Sequence, residues 1–329
     1  MCTAITLKSK DQHHFLARNY DFVKGAELRV ALAPRRFSYL NKLTNKSIPS
    51  KYAVLGMSVS SDGYFIFADG VNEKGLTCAI LELPSQNIWA DQLIEEKENI
   101  LPYDVTFWIL ANFTTVKELK EGLKNLNIVA PLDDQGALAT QVHWLVSDAT
   151  GDSIVIEKTR TSFRAYYNKV GVLTNSPTYD WHLTNLNRYL NVSDKQSNDV
   201  KWGNELLKPY SQGFGGLGLP GDYSSSSRFV KASFLRNHIN LDVNYEGGIL
   251  ECFRILNSVA MLEGIVQTRS NESFITLYTS CICSNQQIYY YSTYTNPQIY
   301  AIDLKKEVLD GNTLKFYSYP DQLIIHHQN

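Results

Sequence analysis

The chain has 329 residues, 44% hydrophobic and 19% charged, enough to bury a large core as one big domain or two modest ones. A formal net charge of −2, with both signs interspersed, leaves no electrostatic footprint for nucleic acid or an anionic membrane, and no apolar stretch approaches the roughly 20 residues of a membrane span. The opening Ala4-Ile5-Thr6-Leu7 is too short and lacks the basic start of a signal peptide, so the expected location is cytoplasmic and the sequons at Asn45, Asn112, Asn191 and Asn271 read as chance matches.

In chain order, Cys2 to Leu7 and Phe15 to Phe22 read as strands joined by a polar turn around Lys10-Asp11-Gln12, with a further strand from Leu28 to Leu32. After Pro102, the apolar run Val105 to Leu110 signals a helix. Thr115-Val116-Lys117-Glu118 forms a capping box, followed by Val116, Leu119, Leu123 and Leu126 at helical spacing. His143 to Asp148 and Ser153 to Glu157 flank Ala149-Thr150-Gly151-Asp152, which suits a hairpin turn, and Arg164 to Leu173 continues the strand pattern. Asp194 to Gly203 is polar and is the expected exposed excursion. Arg228 to His238 and Ile249 to Leu262 read as a second helical group, followed by aromatic strands from Phe274 to Ile302. The order β, α, β, α, β predicts an α+β fold, sheets covered by helices, in one domain over residues 2–329.

Three motifs offer chemistry that their context does not support. Gly213-Phe214-Gly215-Gly216-Leu217-Gly218 matches GxGxxG, but Leu219-Pro220-Gly221 stands where a nucleotide-binding helix must open. The segment reads as a glycine loop in which backbone turns or approaches closely. The histidines, His13-His14, His143, His182, His238 and His326-His327, have no metal-ligand spacing. Cys2, Cys78, Cys252, Cys281 and Cys283 are an odd set without an export signal, hence expected as free thiols, with Cys281-Ile282-Cys283 on a strand.

Met1-Cys2-Thr3 is different. Removal of Met1 leaves a cysteine whose thiol and α-amine, with reference pKa values of about 8.5 and about 7.7–8.0, put a nucleophile and a base on one residue. The strand paired through the first turn carries Arg18 and Asp21. A guanidinium beside a thiol favours thiolate, and a carboxylate can hold the terminal amine, though an ordinary surface pair has the same residues.

The segments Met1 to Thr6 and Leu16-Ala17-Arg18-Asn19-Tyr20-Asp21-Phe22 resemble the choloylglycine hydrolase family, which holds bile salt hydrolases and penicillin V acylases. The likeness continues in family order through Phe67 to Leu76, His143 to Asp148, Leu173 to Pro177, Trp181 to Leu186, Gly218 to Asp222, Ser227 to Val230 and Asn296 to Ile299. It implies an N-terminal nucleophile hydrolase of four αββα layers, with two antiparallel sheets between helices. It also implies a catalytic set of Cys2 as nucleophile, Arg18 and Asp21 beside it, Asn175 as an oxyanion donor and Arg228 as a further member, with no cofactor and no metal.

The departure is Glu82. By resemblance, bile salt hydrolases carry Asn there and penicillin V acylases Tyr, and the backbone N–H of this position helps hold the oxyanion. An ionised side chain turned inward would oppose negative charge on the substrate oxygen, so Glu82 is expected to point away, to be protonated or to meet a cation, and to act on substrate choice. Pocket loops expected by analogy place Val23, Tyr64, Phe65 and Leu132 against a hydrophobic acyl group. The implied partner is a small-molecule N-acyl amide, a conjugated bile salt or penicillin V, with acyl-homoserine lactones behind them. A catalytically silent relative binding steroid or acyl ligands, and a redox or lipidation role for Cys2, are the competing readings. The resemblance further implies a homotetramer, assembled through the excursion from Tyr189 to Gly213.

Overall fold

All six residues from Cys2 to Leu7 are buried, because the strand Cys2–Lys8 is covered on both faces. In the computed structural model, which describes residues 1–25, 27–61, 64–130, 141–240 and 242–329, it belongs to the first of two large antiparallel sheets. The strand order there is Val172–Leu173, Cys2–Lys8, His14–Val23, Ser273–Cys283, Ile288–Thr293 and Tyr300–Asp303, with Val266–Gln267 beside Ser273–Cys283. Helices Ser225–His238 and Tyr245–Asn257 cover its outer face.

Its inner face packs on the second sheet. That sheet is ordered Phe163–Tyr167, Ser153–Lys158, Val142–Ser147, Thr77–Glu82, Asp69–Asn72, Val54–Ser61, Glu27–Ala33 and Lys315–Phe316, with Tyr64–Phe67 beside Val54–Ser61. Helices Val105–Asn112 and Val116–Gly122 close the far side. The layers are therefore αββα, with one apolar cluster between the sheets and under the first helix pair and another under the second pair. A strand buried on both faces needs no polar alternation, which explains why Cys2 to Leu7 and Val142–Ser147 lack one, their few polar residues being buried with the rest.

Several expected elements change extent. The Thr115 hydroxyl accepts from Glu118 N at 3.1 Å, but the Glu118 carboxylate reaches Thr114 N and Oγ1, both at 2.7 Å, so the capping box closes one residue early. The helix then stops at Gly122. Leu126 opens the strand Leu126–Ile128, which pairs in parallel with Glu98–Ile100, and the Asn127 side chain bonds Asn99 Oδ1 and Gln92 O. Those long-range partners outweigh the helical spacing of Leu126.

Arg164 to Leu173 divides between the sheets. Phe163–Tyr167 edges the second, Val172–Leu173 edges the first, and Gly171 at φ +75°, its N–H held by Asn168 Oδ1, turns the chain across. The helical run expected from Ile249 to Leu262 begins at Tyr245 and ends at Asn257. Met261 N then donates to Thr276 Oγ1 at 2.8 Å and Thr276 N to Met261 O at 3.1 Å, so Ser258 to Met261 leads back to the sheet.

The polar excursion is exposed and carries the small hairpin Val200–Trp202 with Glu205–Leu207. In the glycine loop, a Cβ on Gly215 would stand 2.0 Å from Lys195 O, which is the close approach expected of it. Cys281 and Cys283 are buried free thiols on Ser273–Cys283.

Candidate active site

Antiparallel register builds the site. Cys2 pairs with Tyr20 and Ala4 with Arg18, so all four side chains share the face turned to the second sheet. On the next strand Tyr278 pairs with Tyr20 and Ser280 with Arg18, extending that face. Arg18 Nη2 donates to Cys2 Sγ at 2.7 Å, Nη1 to Ala68 O at 2.9 Å, and the guanidinium lies 4.7 Å over the Tyr20 ring.

Asp69, from the second sheet, balances this cation. Its Oδ2 is 3.7 Å from Arg18 Nε and accepts from Tyr278 Oη at 2.7 Å and Ser280 Oγ at 3.2 Å, while Oδ1 accepts from Tyr289 Oη at 2.6 Å. Burial pushes the Asp69 carboxyl above its ordinary range, against the pull of Arg18 and of the three hydroxyls. Burial alone lowers Arg18, but the Cys2 sulfur, Tyr278, Asp69 and Tyr20 together outweigh it and raise its pKa. The arginine is a fixed positive charge against the sulfur.

The opposite face of the same strands supplies the other expected residues. Arg228, early in the helix Ser225–His238, donates Nη1 to Cys2 O and Thr3 Oγ1, both at 2.6 Å, and Nη2 to Asn175 Oδ1 at 2.7 Å. Cys2 N donates to the same Asn175 oxygen at 2.8 Å. These two donors fix which end of the Asn175 amide is oxygen, and Nδ2 donates to Glu82 O at 2.8 Å.

The Asn175 backbone is clamped as well. Ser225 Oγ accepts from its N–H at 2.9 Å, and its carbonyl lies 2.8 Å from His182 Nε2. Burial pulls His182 down to about 4, so its neutral ring donates Nε2–H to that carbonyl while Nδ1 has no partner among the described residues. One residue earlier, Thr174 O lies 2.8 Å from His143 Nε2, whose Nδ1 is 2.9 Å from the buried Glu157.

Asp21 is buried, and burial raises its carboxyl above the ordinary range despite Arg228, the N-terminal ammonium and a hydrogen bond from Thr276. Thr276 Oγ1 donates to its Oδ1 at 2.6 Å. Oδ2, 3.9 Å from Arg228 Nη1, accepts no hydrogen bond from the described residues. The Met1 ammonium donates to Asp21 O at 2.6 Å and pairs with Glu82 Oε2 at 3.0 Å, so Glu82 meets a cation. Leu83 N donates to Gln141 O and Ile80 N to Ala68 O. The alternation of an antiparallel ladder therefore turns both the N–H and the C=O of Glu82 away from Val142, toward the side where Asn175 Nδ2 meets its carbonyl.

A cavity of about 480 Å³ opens onto Cys2 and is mostly apolar, walled by Tyr20, Phe22, Val23, Val59, Ile66, Ile80 and Val142, with Glu82 on its lining. Val23 is on this lining and Phe65 is not: the strand Tyr64–Phe67 turns Ile66 into this cavity and Phe65 to Phe67 and Phe316, because successive strand residues face opposite ways. The Tyr64 side chain and Leu132 lie outside the described residues. Tyr20, Asp69, His143, Glu157 and His182 were not singled out from sequence, although all but Glu157 fall inside the segments that carry the resemblance. Buried charge or polarity was the missing signal, and it is invisible before sheet pairing is known.

A cysteine thiol held by a buried arginine, with its backbone nitrogen on an asparagine amide at the mouth of an apolar cavity, defines a cysteine-centred site suited to acyl transfer. The chain belongs to the family described as linear amide C-N hydrolases, choloylglycine hydrolase family, which it matches over residues 2–317, and it is a linear-amide C–N hydrolase with the N-terminal nucleophile fold. It is 45% identical to the bile salt hydrolase/transferase of Clostridium perfringens over 100% of both chains. Among solved structures it is similar to the mutant C2A conjugated bile acid hydrolase of Clostridium perfringens, with a TM-score of 0.93 and 44% identity over 100% of both chains. A penicillin V acylase from Agrobacterium tumefaciens, TM-score 0.75, shares the fold at 23% identity, covering 96% of this chain and 90% of that one.

Proposed function

We propose that, once Met1 is removed, this enzyme hydrolyses the amide bond of conjugated bile salts with Cys2 as nucleophile. The observation that carries the reading is the Arg18 guanidinium 2.7 Å from Cys2 Sγ, with Cys2 on the lining of a large apolar cavity. A steroid acyl group supplies the apolar surface to fill that volume. The substrate class follows the Clostridium perfringens relative at 45% identity, whereas the penicillin V acylase likeness concerns the fold alone.

The sulfur attacks the amide carbonyl, and the free α-amine of Cys2 takes the thiol proton and passes it to the leaving nitrogen. Asp21 Oδ2, which accepts no hydrogen bond from the described residues while Met1 is present, is the acceptor that orients this amine, and Asn175 Oδ1 is the other. Negative charge on the carbonyl oxygen is met by the second Asn175 Nδ2–H, the first being held by Glu82 O at 2.8 Å, and by the Glu82 backbone N–H on that side of its strand. Water then resolves the thioester. Arg228 donates to the Cys2 carbonyl, Thr3, Asn175 and Tyr223 O and stands 3.9 Å from Asp21 Oδ2, so it positions the amine and the oxyanion donor.

Intact mass of the purified chain will show loss of Met1. Release of glycine or taurine from conjugated bile salts, measured beside penicillin V hydrolysis, tests the substrate. Penicillin V cleavage alone transfers the reading to that acyl group. Absence of both products identifies a silent acyl-binding relative.

A further inference from the structure

We propose that the place occupied by the Met1 ammonium becomes, after methionine removal, a subsite for a cation on the amine portion of the substrate, with Glu82 as its specificity-determining residue. The proposal deepens the amide-hydrolase reading above and rests on it. Two acceptors converge on this point, Asp21 O at 2.6 Å and Glu82 Oε2 at 3.0 Å, and they hold an ammonium in the structure itself.

Geometry decides which half of the substrate arrives there. Only the Met1 carbonyl carbon and Cα separate that ammonium from the Cys2 nitrogen, so the space it vacates adjoins the amine that must protonate the leaving nitrogen. The substituent on the leaving nitrogen therefore enters the Met1 space. The acyl group takes the apolar wall of Phe22, Val23, Ile66 and Ile80. A second protonated nitrogen a few carbons from the amide would replace the Met1 ammonium atom for atom, whereas a carboxylate or sulfonate there faces Glu82 at close range.

The cations around the cavity are already engaged, and the buried Asp21 carboxyl lies 3.9 Å from Arg228 Nη1. Lys24 pairs with Glu263 at 2.6 Å, Arg18 holds Cys2 Sγ, Arg228 holds Cys2 O and Asn175, and the Cys2 nitrogen is turned to Asn175 Oδ1. Met1 supplies the ion pair that Glu82 makes among the described residues, and its loss leaves that carboxylate at the entrance to the sulfur.

Two measurements on Met1-free enzyme and its Glu82→Gln variant test the subsite. The first compares the rates at which ethylammonium and ethylsulfonate methanethiosulfonate label Cys2, the cysteine on the cavity lining, confirmed by peptide mass. The ratio of cationic to anionic labelling is expected to fall about tenfold in Glu82→Gln. The second compares kcat/KM for cholyl amides of ethylenediamine and of glycine, and the same ratio is expected to fall in the same direction. An unchanged labelling ratio overturns the subsite whatever the hydrolysis shows. A shifted labelling ratio with neither amide cleaved keeps the subsite and rejects the bile-salt reading instead.

Discussion

Arg18 reaches the Cys2 sulfur diagonally across the first hairpin, Nη2 to Sγ 2.7 Å, because Cys2 pairs with Tyr20 while Arg18 pairs with Ala4. A direct cross-strand partner would have been an aromatic ring, which lies under the guanidinium instead at 4.7 Å. The arrangement delivers a buried cation to the thiol and requires Asp69 behind it.

Arg18→Gln is therefore expected to slow alkylation of Cys2 by neutral iodoacetamide and to lower kcat/KM by at least about tenfold. It should also destabilise the fold by about 3–5 kcal/mol, since Asp69 is left as an unpaired buried charge. Denaturant melts and alkylation rates read the two effects separately. An unaltered alkylation rate would remove Arg18 from the chemistry.

Asn175→Ala removes a side-chain donor from the oxyanion position, a loss that costs about 2.7–4 kcal/mol of barrier in acyl-transfer enzymes. Steady-state kinetics should show kcat falling about 10²–10³-fold with a much smaller change in KM. Cys2→Ser and Cys2→Ala should abolish turnover, and retained activity in either would falsify the nucleophile assignment.

His182 makes acid stability pH-dependent. Burial lowers it from 6.5 to about 4, so its folded-state pKa is depressed and the folded protein binds fewer protons than the unfolded chain between those values. Stability is thus unaffected by this group above pH 6.5 and is lost as pH falls toward 4, by about 3 kcal/mol. Urea unfolding of wild type and His182→Gln across that window should show the acid-side slope reduced in the variant, and parallel curves would assign the slope to other groups.

Thr115→Ala should cost about 1 kcal/mol, since its hydroxyl satisfies the first-turn Glu118 N–H and the Glu118 carboxylate is committed to Thr114. Thermal unfolding with unchanged kcat would locate the effect in the helix.

The homotetramer we propose would use the exposed excursion from Tyr189 to Gly213, where Trp202, on its hairpin, is 73% and Tyr210, beyond it, 90% exposed. Large aromatic side chains left in water there suit a contact between copies. Light scattering should give a tetramer for the wild type and smaller species for Trp202→Lys with Tyr210→Ser. A wild-type monomer would discard the assembly.

Legibility followed the range of the interaction. The strands Cys2–Lys8 and His14–Val23, the hairpin around Ala149 to Asp152 and the cap at Thr115 were readable because turn chemistry, periodicity and capping act within a few residues. Leu126 and the segment Ser258 to Met261 have helical periodicity but are not helical, because their partners, Ile100's strand and Thr276, are distant in the chain.

For the site, Cys2, Arg18 and Asp21 could be picked out by residue type and by the turn that pairs their strands, whereas Asn175 and Arg228 came through the family resemblance. That they stand together, and that Asp69 balances Arg18 while His182 clamps Asn175, depends on the register of two sheets packed face to face. The same holds for Glu82. Its charge was plain in the sequence, but the ammonium it meets became visible only when folding brought Met1 across the cavity mouth, because an ion pair over such a separation is specified by tertiary packing and by no local pattern.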